Sequence, residues 1–92
     1  MITKGFKVSL NNKEEARPAA VVVQLASRYE STVFLIDGNK RINAKSIMGM
    51  MSLMTDVGYK SEDEILIEAD GSDEEEAINT ITQYLSGEKN FA

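Results

Sequence analysis

Residues 64–69 read Glu-Ile-Leu-Ile-Glu-Ala, a strict alternation of two faces. Ile65, Ile67 and Ala69 fall on one side, and Glu64, Leu66 and Glu68 fall on the other. A period of two is the signature of a half-buried strand. The same pattern recurs in residues 2–10, where Phe6, Val8 and Leu10 alternate with Lys7 and Ser9. Strands with one apolar and one more polar face suit a largely antiparallel sheet covered on one side only. That requirement constrains the rest of the chain, which must supply helices for the covered face.

The helices are legible between the strands. Pro18 suits a first helical turn, where no N–H is needed. A helix is expected from there to about residue 28, burying Ala19, Val22, Ala26 and Tyr29. Ala16, Ala20, Gln24 and Ser27 make a second stripe of short side chains. Residues 32–36, Thr-Val-Phe-Leu-Ile, form a buried strand. Asp37-Gly38-Asn39 turns the chain, and residues 40–43 return with Ile42 inward. Ser46 is placed to cap a helix that ends near Met54. Asp70-Gly71 turns the chain again, and Ser72 with Glu75 has the spacing of a capping box for the last helix. Ala77, Ile78, Ile81, Tyr84 and Leu85 form its buried stripe, and Gly87 ends it. The expected order is βαββαβα in one domain spanning residues 1–92.

Composition narrows the chemistry. The 92 residues include no histidine and no cysteine. Phosphohistidine, thiolate catalysis and the commonest metal ligand are therefore absent. The acids at residues 73–76 match the dipole at a helix start better than they match a metal site. Residues 1–50 carry eight Lys/Arg against four Asp/Glu, and residues 51–92 carry two against eleven. That basic excess is too weak for a nucleic-acid surface but sufficient to attract a phosphate or an acidic partner. No apolar run reaches membrane-span length, so a soluble cytoplasmic protein is expected.

Residues 45–53, Lys-Ser-Ile-Met-Gly-Met-Met-Ser-Leu, pair a helix start with too many apolar side chains for one buried stripe. A helix start favours an anion, and exposed methionines make an adaptable docking face. On the residues alone, a short core helix with an ordinary cap is the leading reading of this stretch, ahead of a phosphate site joined to a docking face.

Together with Ala16-Arg17-Pro18-Ala19, this stretch resembles the two signature segments of HPr, the phosphocarrier of the bacterial sugar phosphotransferase system. The resemblance implies an α+β fold, an open-faced β-sandwich. Its four antiparallel strands run in the order 1-4-2-3, covered on one face by three helices. The family's first motif reads Gly-Ile/Leu-His-Ala-Arg-Pro-Ala, and its histidine carries the phosphoryl group. Here Lys13-Glu14-Glu15 stands in that place, with Glu15 at the histidine position. The second motif is intact. In Gram-positive relatives, the serine matching Ser46 is phosphorylated by HPr kinase/phosphorylase. The modified protein then serves as a corepressor partner of the transcription regulator CcpA in carbon catabolite repression.

The chain is similar to the Crh-like branch, which keeps this serine and lacks the histidine, although Glu15 departs from that branch's glutamine and the 59–63 loop is longer. The resemblance thus implies a regulatory phosphoprotein that is not an enzyme, needs no cofactor or metal, and binds neither nucleic acid nor membrane directly. Ser46 is the expected phosphorylation site. Arg17, Lys45, Lys40 and Arg41 are the expected phosphate-proximal cations. Glu15, Arg17, Ala20, Gln24, Ser46, Ile47, Met48 and Met51 are the expected partner-binding residues. Enzyme I and other phosphotransferase proteins are further candidate partners. The alternative function is a phosphocarrier in which Glu15 accepts phosphate as an acyl phosphate.

Overall fold

The computed structural model describes residues 1–10, 18–58 and 63–87. Its elements run β1 (Ile2–Phe6), α1 (Pro18–Ser27), β2 (Thr32–Asp37), β3 (Lys40–Asn43), α2 (Ile47–Val57), β4 (Ile65–Asp70) and α3 (Glu74–Leu85). The four strands make one antiparallel sheet in the order β1-β4-β2-β3. Ile2 pairs with Ala69 and Phe6 with Ile65; Val33 pairs with Ala69 and Leu35 with Ile67. This register puts the apolar residues of β1, β2 and β4 on one face, where Val33, Leu35, Ile67 and Ala69 are wholly buried. The helices cover that face: α3 packs over β4 and β1, α2 packs against β3, and α1 touches both other helices.

β1 is shorter than the alternation suggests. Val8 and Leu10 are buried as expected, but their segment has left the ladder. Ser9 instead donates its N–H to the Leu85 carbonyl at 2.8 Å, so the chain turns to close the end of α3. The β2–β3 turn centres on Gly38 and Asn39, with Gly38 at φ 60°. A positive φ at the first central position matches the twist of a two-residue hairpin.

The start of α3 corrects the expected capping box. The N-cap is Asp73, and its side chain makes no cap bond. Asp73 reaches back across the fold, accepting from the Glu30 N–H at 2.9 Å, the Ser31 N–H at 3.0 Å and the Ser31 hydroxyl at 2.5 Å. These bonds hold its carboxyl below the ordinary range, the Ser31 hydroxyl contributing most and the Glu30 amide next. Gly71 makes this approach possible, because a Cβ there would lie 2.6 Å from the Ser31 Cα. The Glu74 carboxylate accepts from the Gly71 N–H at 3.0 Å and pairs with the Met1 amino group at 3.1 Å.

Candidate functional site

The chain reaches Ser46 by a short path with little slack. Ala44 is fully buried and donates its N–H to the Val33 carbonyl at 2.8 Å, pinning the end of β3 to the sheet. The Asn43 side chain accepts from the Lys45 N–H at 2.9 Å, a local turn typical of asparagine. Ser46 then adopts an extended backbone, φ −97° and ψ 114°, while its side chain accepts from the Gly49 N–H at 3.3 Å. Its carbonyl takes the first helical bond, from the Met50 N–H at 2.9 Å. Ser46 is thus the N-cap of α2, and its hydroxyl is exposed where helix N–H groups favour an anion.

Gly49 lets this helix start lie close to the sheet. A Cβ at that position would come within 2.9 Å of the Ile42 Cγ2. One side of α2 is then buried through Met50 and Leu53, with Met54 and Val57 partly buried against the core. The other side carries Ile47, Met48 and Met51, which are 43%, 80% and 57% exposed. The excess of apolar residues noted in the sequence therefore resolves into two faces. The exposed one begins at the residue after Ser46. Ala20 is half-buried and Gln24 exposed on α1, which packs beside α2.

Among the expected cations that lie in the described residues, Lys45 is next to Ser46 in the chain and already has a partner. Its Nζ donates to the Tyr29 carbonyl just beyond α1, at 2.8 Å. The Tyr29 hydroxyl in turn is 2.6 Å from the Thr80 hydroxyl on α3. Lys45 is therefore a strut joining the end of α1 to the start of α2, a role with no sequence signature.

Lys40 and Arg41 are directed elsewhere. Lys40 pairs with Asp56 at 2.5 Å, and the hydrogen bond followed by the charge raises its pKa. Asp56 lies ten residues along from Ser46, about 15 Å at the helical rise. Arg41 alternates with the inward Ile42, so it points from the uncovered face of the sheet. There it pairs with Glu68 at 2.7 Å and lies 3.7 Å from the Phe34 ring centroid. In this structure Lys40 and Arg41 pair with Asp56 and Glu68 rather than with Ser46. Glu15 and Arg17 lie outside the described residues, as do residues 59–62 of the longer loop.

Among the described residues, no group of His, Cys, Asp or Glu side chains is arranged to hold a metal ion. No described helix is long and apolar enough to cross a membrane. A small apolar cavity of about 160 Å³ lies between the start of α1 and the end of α2, lined by Pro18, Met54, Thr55 and Gly58.

The sheet order and three helices are those of an HPr-type fold, and comparison with known proteins gives the family. The family model for the "PTS HPr component phosphorylation site" matches residues 2–86, and the chain belongs to the HPr family. Within it, the chain is 42% identical over 88 residues to the HPr-like protein Crh of Bacillus subtilis (strain 168), covering 96% of this chain and 99% of that one. It is 39% identical over 88 residues to the HPr-like protein Crh of Halalkalibacterium halodurans, covering 96% of this chain and all of that one. Among solved structures, the phosphocarrier protein HPr of Bacillus anthracis superposes with a TM-score of 0.76 at 42% identity. That match covers 91% of this chain and 95% of the other. The chain is thus a Crh-like HPr homologue.

Proposed function

We propose that this protein is a cytoplasmic regulatory phosphoprotein, a single HPr-like domain that acts without catalysing a reaction. HPr kinase/phosphorylase phosphorylates it on Ser46, and the phosphorylated form serves as a corepressor partner of a CcpA-type transcription regulator. The observation carrying this reading is the continuity of two features at one helix end. An exposed serine hydroxyl caps α2, and the exposed apolar side chains of Ile47, Met48 and Met51 follow it directly.

The chemistry suits a switch that changes the surface more than the fold. A phosphate adds about −1.5 to −2 charges and three acceptor oxygens. At a helix N-terminus that charge is favoured by roughly 0.3–1 kcal/mol, so α2 tolerates it. Lys45 is held by the Tyr29 carbonyl. The stronger charge pairing therefore falls to cations of the partner, with Met48 and Met51 filling its apolar surface. Ala20, Gln24, Arg17 and Glu15 on and before α1 complete the proposed contact surface. A passive carboxylate at position 15 agrees with a chain that contains no histidine.

The test is intact mass after incubation with ATP and HPr kinase/phosphorylase, with Ser46→Ala alongside. One phosphate on the wild type and none on the variant is the expected result. No phosphate on either removes the reading. Phosphoenolpyruvate with enzyme I tests the alternative, since a hydroxylamine-sensitive product lost in Glu15→Gln is the mark of an acyl phosphate.

A further inference from the structure

The chain has five methionines and no cysteine, so its reversible redox chemistry rests on thioethers. The fold sorts those five sharply. Met50 is fully buried, Met54 is partly buried against the core, and Met48 and Met51 are 80% and 57% exposed. Met1 is 70% exposed at the far end of β1. Met48 and Met51 are three residues apart in α2, so their sulfurs share one surface of the helix, next to Ser46. That surface contributes nothing to the buried core, whose α2 residues are Met50 and Leu53.

We propose that Met48 and Met51 are a reversible S-oxidation site which switches the α2 face from apolar to polar without unfolding the protein. The oxidant class is a hydroperoxide. The thioether sulfur attacks the terminal oxygen, an S–O bond forms and the O–O bond breaks. The sulfur loses two electrons, and the departing oxygen takes a proton and leaves as water or an alcohol. Thiol-dependent methionine sulfoxide reductases reverse the step by returning two electrons and releasing the oxygen as water. Selectivity follows from access: a hydroperoxide reaches the two exposed sulfurs directly, whereas it reaches Met50 only when the core opens. The consequence for a partner rests on the proposed function. A sulfoxide oxygen buried in an apolar partner surface without a donor weakens docking by about tenfold or more. The site itself does not depend on that reading.

The experiment is a peptide map of the folded protein over time in hydrogen peroxide, with hydrophobic-column retention and thermal melting of each sample. Met48 and Met51 should gain one oxygen each on the timescale of Met1. Met50 should lag by about tenfold or more, as a buried residue must. Retention should shorten while the melting temperature holds, and a sulfoxide reductase pair should restore retention. Met48→Leu/Met51→Leu should fold, lose less retention in peroxide than the wild type, and still oxidise at Met1. Oxidation of Met50 in step with Met48, or retention unchanged after Met48 and Met51 are oxidised, would overturn the proposal. Loss of the fold on oxidising only these two would overturn it equally. Phosphorylation at Ser46 is measured separately, so failure of the regulatory reading leaves these results interpretable.

Discussion

Replacing Ser46 removes two things at once, a phosphate acceptor and a helix cap. Its side chain accepts from the Gly49 N–H at 3.3 Å, a long bond at an exposed helix end. Loss of an N-cap costs about 0.5–2 kcal/mol, and the length and exposure of this bond place Ser46→Ala at about 0.5–1 kcal/mol. For a domain of this size, that shifts the melting temperature down by about 2–8 °C. Ser46→Asp keeps a capping oxygen and adds a negative charge at the N-terminus of α2, so its stability should stay within about 0.5 kcal/mol of the wild type. Urea titration of the three proteins, with matched slopes, measures both effects. Ser46→Ala as stable as the wild type, with Ser46→Asp less stable than both, would refute the assigned cap and the favourable anion position together. The result also affects the phosphorylation test, because Ser46→Ala must be assayed at a temperature where it is fully folded.

Further outcomes follow from other contacts. Gly71→Ala should destabilise by about 1–3 kcal/mol in a urea titration, since its Cβ meets the Ser31 backbone rather than a movable side-chain end. The Asp73 carboxyl titrates below its unfolded value, so its stabilisation is present above the usual carboxylate range and is lost as pH falls through its folded pKa. Melting measured from pH 6 to pH 2 should therefore show a shallower acid decline in Asp73→Asn. At the alkaline end, the Met1 amino group is raised by hydrogen bonding to Glu74 and then by its charge. That contribution is complete below the ordinary value near 8.0 and fades as pH rises through the raised one, so blocking the amino group should flatten the alkaline limb. Lys40→Ala should leave Ser46 phosphorylation and phosphate-dependent binding unchanged in side-by-side titrations, because Lys40 is engaged with Asp56 near the other end of α2.

Much of this architecture is readable from short-range pattern. The alternation at residues 64–69 becomes β4, and the same rule orients β2 and its hairpin with β3. Ser46 is legible because capping is a local bond between a side chain and a backbone three residues away. What sequence does not reveal are contacts that compete from across the fold. Ser72 and Glu75 have ideal capping-box spacing, yet Asp73 starts α3 and spends its carboxylate on Glu30 and Ser31, more than forty residues away. Lys40, Arg41 and Lys45 are neighbours in sequence, but strand direction and alternation send them to three different places. Leu25 completes the buried face of α1, three residues on from Val22. The surplus of apolar residues among Ile47, Met48, Met50, Met51 and Met54 is recognisable from the sequence, and only packing determines that Ile47, Met48 and Met51 are the exposed ones.

The most direct test of the regulatory claim is calorimetric titration of a CcpA-type regulator with this protein, Ser46-phosphorylated and unphosphorylated, at matched ionic strength. The proposal predicts binding by the phosphorylated form, at least tenfold tighter than by the unphosphorylated form and weakened by Met48→Ala/Met51→Ala. Equal binding by both forms, or none by the phosphorylated protein, would contradict it.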